Sequence, residues 1–272
     1  MYTVRNITWS ALDMLATIVR YRRILAATTR VEVAKRYSGS AFGKVWVVLY
    51  PTLLLANYLF VYLVIFKMRF QEYSELGYAL FIFCGLIPFL GVSEALGAGC
   101  MVLKQNLHLV KNVMLPIELL PVRSILVSMV TQLVSLGVLI VLLAVNGSLS
   151  VHLAWLPVVV VLQVLFLVGL VLFLSSLTLL LPDVSYFVNL VLVFLMFVSP
   201  IGYRPEMVPA ELRFLVYLNP IYYLIEAYRC SLLHATLPEP VEAAVLVGLC
   251  LGAFALGSAF FRRFKDVLVD YE

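Results

Sequence analysis

Long apolar runs separated by short polar intervals make up most of the chain. The first opens at Val45 and reaches about residue 66; others cover about 77–101, 122–145, 153–181, 184–201 and 241–261. A helix needs roughly 20 apolar residues to cross about 30 Å of hydrocarbon, so each run predicts a transmembrane span, six in all. They are divided by a polar loop at 67–76, a longer connection at 102–121, a turn at Asn146-Gly147-Ser148 and a break at Leu181-Pro182-Asp183. Pro88 and Glu94 interrupt the apolar character of span two. Ahead of the first run, Trp9, Leu12, Leu15, Ile18 and Val19 recur at three- to four-residue spacing, with Arg20, Arg22 and Arg23 behind them. That pattern predicts an N-terminal amphipathic helix lying in the headgroup layer.

Residues 202–240 fit neither a span nor a free loop. Two apolar pieces, LRFLVYL and IYYLIEAY, are split by Asn219-Pro220 and carry Arg213, Glu226 and Arg229, with Arg204 ahead of them. Charge decides between a crossing and a return. If the segment does not cross, fourteen of the nineteen Lys and Arg fall on one side, including eight in residues 1–44 and the cluster Arg262, Arg263 and Lys265. This is the positive-inside bias. The segment is therefore expected to be a re-entrant outer helical hairpin between spans five and six. Such backbone is tolerated at membrane depth only when buried in protein or lining a watery cavity. The expected fold is an all-α integral membrane protein with a single transmembrane domain over 1–272. It comprises a cytoplasmic or interfacial segment 1–44, spans one to five within 45–201, the re-entrant segment 202–240, span six at 241–261 and a tail 262–272. Both termini are then cytoplasmic.

Composition agrees. The 272 residues are 64% hydrophobic and 12% charged, with a mean hydropathy of +1.06, whereas soluble domains carry about 25% charged residues. The cations are too dispersed for a nucleic-acid face. Cys84, Cys100, Cys230 and Cys250 sit in or beside apolar runs without metal spacing and read as small buried hydrophobes. His108, His152 and His234 are scattered, and no paired carboxylates or nucleophile–base grouping supports catalysis. Gly39-Ser40-Ala41-Phe42-Gly43-Lys44 is one residue short of a phosphate loop and has Val45 where a magnesium-binding hydroxyl belongs. No nucleotide site, metal or cofactor is expected in this chain. The small residues Ser38, Gly39 and Ser40 predict instead a tight turn from helix to helix.

Glu94 lies within span two, where a carboxylate usually faces a bundle interior or cavity. It reads as a gate or subunit contact, or as an acid near the interface satisfied by hydroxyls or water. Trp46, Tyr50, Tyr58 and Tyr62 share one face of span one, and Phe187, Phe194 and Phe197 lie in span five. Such rings can stack on sugars or form interfacial belts and packing. Gly91, Ala95 and Gly99 in span two, and Gly248 and Gly252 in span six, have the four-residue spacing that lets helices approach closely.

Several stretches in order resemble one family. Arg36-Tyr37-Ser38-Gly39-Ser40 with Gly43, Trp46 and Pro51 is one; Gly85-Leu86-Ile87-Pro88 with Ser93-Glu94-Ala95-Leu96 is the next. Asn106-Leu107 through Lys111 and Pro116-Ile117-Glu118-Leu119-Leu120-Pro121 follow. Ser199-Pro200-Ile201-Gly202-Tyr203, Asn219-Pro220, Glu226, Tyr228 and Arg229 complete the set. Together they resemble the membrane-spanning permeases of ABC exporters that move O-antigen, capsular polysaccharide or teichoic acid. One position departs: the family has Arg-Asp after span four, and here Pro182 precedes Asp183, which is left the role of capping span five.

The resemblance implies a transport subunit of the bacterial inner membrane, not an enzyme. It implies a homodimer joined to two copies of a separate ATP-binding subunit that supplies ATP and Mg. Asn106, Leu107, Lys111, Pro116 and Glu118 would couple the chain to that ATPase. A lipid-linked glycan would pass a tunnel lined by Tyr58, Tyr62, Trp46, Phe194 and Phe197. Glu94, Asn219, Pro220, Glu226 and Arg229 would form the gate, with room for an envelope-spanning export partner beyond it. A drug or lipid exporter of the same architecture is the alternative, followed by a membrane enzyme acting on lipid-linked sugars.

Overall fold

The computed structural model describes residues 4–36, 38–67, 74–106 and 116–270, and regular structure among these residues is helical throughout. Two helices, α1 (Val4–Arg20) and α2 (Arg22–Arg36), precede the first apolar run. The chain then reverses at Gly39 and Gly43, whose φ values of +82° and +51° suit glycine because it lacks a Cβ. A 3-10 turn, Gly43–Val45, leads into α3 (Trp46–Leu59), which ends in the wider π-type turn Phe60–Ile65. The expected helix-to-helix turn is thus present.

Next come α4 (Glu75–Cys100), the short α5 (Val102–Gln105) and α6 (Leu119–Val145). Helix α7 (Leu156–Leu180) is entered through the turn Val151–Trp155. After α8 (Val184–Val198) lie α9 (Arg213–Leu218), α10 (Pro220–Arg229) and α11 (Pro240–Asp270).

Five stretches are long and apolar enough to cross a bilayer: Gly43–Ile65, Glu75–Cys100, Leu119–Val145, Val151–Leu180 and Pro240–Lys265. These match the expected spans one to four and six within a few residues. The expected fifth is shorter. Helix α8 has 15 residues, about 22 Å at 1.5 Å per residue, and stops before residue 201 because Ser199 is extended at ψ 133°. Ser199 precedes Pro200, and a following proline disfavours helical backbone. Asp183 does not cap α8 with its carboxylate; its backbone carbonyl accepts from the amides of Tyr186 and Phe187 instead. Helix α4 runs unbroken through Pro88. The proline deprives the Cys84 carbonyl of its helical donor, a loss that neighbouring helices can accommodate.

Helix α4 is the hub. Its most apolar stretch is 72% buried, against 6% for the first span, which lies at the edge of the subunit. The closest crossing joins α7 and α11. A Cβ built on Gly257 would sit 2.0 Å from the Gly169 carbonyl oxygen, and one on Gly169 2.1 Å from that of Ala253. Backbone therefore touches backbone here, as small residues permit in membranes. Gly248 and Gly252, whose spacing allows close packing within or between subunits, meet nothing within this subunit: an added Cβ at either has no neighbour within 4 Å. In α4 the expected close approaches are real: Gly91 faces the Gln132 side chain and Gly99 faces Val171. The four cysteines are buried and unbridged.

Candidate functional site

The segment after α8 is bound to α4 through Arg229, the last residue of α10. Its guanidinium is fully buried. It donates to the carbonyls of Pro200 (2.6 Å) and Ile201 (2.9 Å) and to the Glu226 carboxylate (2.9 Å). It also lies 3.7 Å from the centroid of the Phe81 ring, within cation–π range. Gly85 makes the room: a Cβ there would stand 3.1 Å from the guanidinium and 3.2 Å from the Ile201 backbone.

Other bonds fasten the same strap. Tyr78 donates its hydroxyl to the Gly202 carbonyl (2.7 Å), and Asn219 donates to the Ser199 hydroxyl (2.8 Å). Asn219 also accepts from the Ile221 amide (2.9 Å), capping α10, while Pro220 occupies the first helical turn, where its missing N–H costs nothing. Residues 199–203 and 219–229, far apart in sequence, thus form one unit over the first half of α4.

Nearer the middle of the bundle, Gln132 of α6 and Gln163 of α7 exchange amide hydrogen bonds of 2.8 and 2.9 Å. Tyr228 of α10 donates to Gln163 (2.6 Å) and accepts from Gln132 (2.8 Å). All three are buried, and Gly91 of α4 leaves space for Gln132.

Glu94 lies nine residues beyond Gly85, about 13 Å along α4. It accepts from Arg36, at the end of α2. This pair borders a cavity of about 400 Å³ that is also lined by Ser40, Trp46, Tyr50 and Ser93. Of the expected gate residues, Asn219, Pro220, Glu226 and Arg229 therefore cluster together and Glu94 stands apart, partnered by a guanidinium that the sequence did not suggest.

Of the expected coupling residues, Leu107 and Lys111 lie outside the described residues. Asn106 accepts from Arg123 (3.2 Å) and donates to the Val102 carbonyl (2.8 Å). The Pro116 carbonyl accepts from the Leu119 amide (3.0 Å), starting α6. Glu118 accepts from Lys265 of α11, and a neighbouring ion pair joins Arg262 to Asp13 of α1. The start of α6, the end of α11 and α1 are therefore linked.

The expected path residues fall in three places. Tyr58 and Tyr62 stack with centroids 6.1 Å apart, and the Tyr62 ring covers Gly202, so these two pack against the strap. Trp46 meets Phe42 edge to face beside the Glu94 cavity. Phe194 and Phe197 are 54% and 70% exposed on a stripe of α8 with Phe187 and Leu190, open to whatever covers that face. Gln132 and Gln163 escaped sequence reasoning. Their signal is an uncharged amide within an apolar run, which in hydrocarbon calls for a partner on another helix.

A model of the family described as ABC-2 type transporter matches residues 24–233, from within α2 past the end of α10. The chain belongs to the ABC-2 type transporter family. Relatives extend over nearly all of it. It is 26% identical over 258 residues to the "O-antigen export system permease protein RfbA" of Myxococcus xanthus, covering 93% of this chain and 97% of the relative. Two permeases of the same name from Klebsiella pneumoniae are 24% identical over 246 residues, covering 89% of this chain and 92% of theirs. This ABC-2 chain is a multi-pass membrane protein, with four of its five long apolar stretches inside the family match and Pro240–Lys265 beyond it.

Proposed function

We infer that this chain is the membrane-spanning subunit of an ATP-driven exporter that moves a polysaccharide of the O-antigen type, carried on a lipid, out of the cytoplasm of a bacterium. One observation carries the reading: the likeness to O-antigen export permeases runs almost end to end in both sequences. Two copies of the chain work with two copies of a separate ATP-binding subunit, which supplies ATP and Mg. The nearly unburied first span and the bare aromatic stripe of α8 are faces that a second subunit would cover, and Tyr58, Tyr62, Trp46, Phe194 and Phe197 then face the glycan.

In this reading α8 is a sixth crossing, both termini lie in the cytosol, and α9 and α10 form a hairpin that enters and leaves on the outer side. The buried Arg229 and the satisfied carbonyls of Pro200 and Ile201 suit such a segment, because backbone at membrane depth must be bonded within the protein.

Two measurements test this. Reporters active on only one side of the membrane, fused to each end, should agree on the cytosol; disagreement removes the hairpin. Proteoliposomes holding this chain and its ATP-binding partner subunit should export lipid-linked O-antigen only with hydrolysable ATP. Export of lipids or drugs but no glycan would transfer the reading to another ABC-2 exporter.

A further inference from the structure

A cleft between α2 and α6 is unlike the other charged cavities. It holds about 520 Å³, within the roughly 300–1,000 Å³ typical of small-ligand sites. Its wall is apolar, with Leu126, Met129 and Leu133 of α6, and its polar lining is Thr29, Arg30 and Lys44. No carboxylate lines it. At other cavities Arg36 is paired with Glu94, Arg262 with Asp13 and Lys265 with Glu118, while Arg123 is bonded to the Asn106 amide. Arg30 and Lys44 have no ion pair among the described residues.

Thr29 adds an independent sign. A helical threonine ordinarily returns its hydroxyl to the carbonyl four residues back, as Thr28 does to Ile24 at 2.8 Å. Thr29 does not. Its hydroxyl is buried without a hydrogen-bond partner in a residue only 8% exposed, and an unmet buried hydroxyl is costly.

We propose that this cleft seats one acyl chain of an anionic phospholipid, with its phosphate held by Arg30, Lys44 and the Thr29 hydroxyl. Depth favours an amphiphile over a soluble anion. Lys44 stands where the first span begins, while residues 126–133 lie about 10–21 Å into α6 from its start at Leu119. The cleft therefore reaches from headgroup level to acyl level. Leu133 is half exposed on the outside of the bundle, so bulk lipid meets the cleft directly. A juxtamembrane cation is drawn to anionic headgroups, and two of them at one cleft select charged over neutral lipids. A lipid there would pin α2, and with it Arg36, to α6.

The test uses the full chain in phosphatidylethanolamine vesicles containing a minor share of phosphatidylglycerol. Photoreactive analogues of each lipid, with the reactive group in the acyl chain, are crosslinked and mapped by mass spectrometry. Phosphatidylglycerol should label peptides covering 26–34 and 126–133. Arg30→Gln with Lys44→Gln should cut that labelling roughly tenfold and leave phosphatidylethanolamine labelling unchanged. Arg22→Gln with Arg23→Gln, exposed outside the cleft, should change neither. If the first double variant does not fold, Ala26→Phe, which fills the cleft and keeps its charges, should abolish the same labelling. Equal labelling by both lipids, or equal loss in the Arg22/Arg23 variant, overturns the proposal. So do displacement by inorganic phosphate, selective displacement by a polyprenyl phosphate, and crosslinks showing a second copy seated on 126–133.

Discussion

Gln132 and Gln163 hold each other amide to amide across α6 and α7, and each also bonds the Tyr228 hydroxyl. A buried polar trio between apolar helices is satisfied only as a unit. Gln163→Leu leaves the Gln132 amide and the Tyr228 hydroxyl short of partners. The expected cost is about 1 kcal/mol, the scale of interhelical hydrogen bonds in membranes, read as a lower Tm of the purified subunit. Replacing all three, as Gln132→Leu, Gln163→Leu and Tyr228→Phe, removes the orphaned groups along with the bonds and should recover part of that loss. A triple variant less stable than the single one would mean that orphaned groups are not what the single variant suffers from, and that the surviving Gln132–Tyr228 bond still contributes.

Arg229→Lys keeps the charge and loses the fork. A lysine cannot reach the Pro200 and Ile201 carbonyls while stacking on Phe81, and each bond from a charged donor is worth about 1.5–3 kcal/mol. The strap 199–203 should then lift from α4. Native Cys84, buried one residue from Gly85, reports this directly: a membrane-permeable maleimide should label it faster in Arg229→Lys than in the parent. Unchanged labelling would show that the strap is held without the guanidinium.

The glycines divide into two kinds. Gly169→Ala and Gly257→Ala drive a methyl into backbone at 2.1 and 2.0 Å, where no side chain can move aside. Overpacking costs about 1–3 kcal/mol or more, so each should lower the amount of folded subunit recovered in mild detergent. Gly91→Ala meets only the tip of Gln132 and should cost less, at the expense of the Gln163 bond. Gly248→Ala and Gly252→Ala, with open space around them, should leave subunit stability unchanged.

What was legible in the sequence follows from the same physics. Apolar length alone located the spans, because hydrocarbon thickness sets helix length. Asn219-Pro220 and Ser38-Gly39-Ser40 announced their turns through local backbone chemistry. Long-range partners were less readable. Glu94 was visible as an expensive carboxylate, but Arg36 lies 58 residues earlier and nothing local connects them. Gly85 and Gly91 mark where α4 yields space to Arg229 and Gln132, and a glycine does not name what will face it. The four-residue pattern at Gly248 and Gly252 fits packing within or between subunits, and within this subunit it meets open space. The spacing permits close approach, while the crossing at Gly169 and Gly257 is set by which faces meet.

The Arg36–Glu94 pair invites a charge swap. Both side chains keep some solvent access, 43% and 20%, and such pairs contribute about 0–1 kcal/mol to stability. Reversing one charge should therefore leave membrane abundance nearly intact. If the pair holds the cavity at Trp46 and Tyr50 shut, Arg36→Glu should impair glycan export in cells, and Arg36→Glu with Glu94→Arg should restore much of it. Export loss in step with abundance would assign the pair to folding alone.

Glu118 permits a sharper separation of coupling from stability. It joins the start of α6 to Lys265 near the end of α11, beside the pair that ties Arg262 to Asp13 of α1. A partner that moved α6 at this point would move α11 and α1 with it. Glu118→Lys places two ammonium groups where one ion pair stood, and close like charges repel. In proteoliposomes with the ATP-binding subunit, ATP hydrolysis by this variant should no longer respond to the lipid-linked glycan. Lys265→Glu added to it restores an ion pair of reversed polarity and should restore the response if the link between α6 and α11 is what matters. If the double variant stays unresponsive, the Glu118 carboxylate itself must contact the partner. If the single variant responds normally, the coupling role fails for this residue and falls to the rest of the segment between α5 and α6.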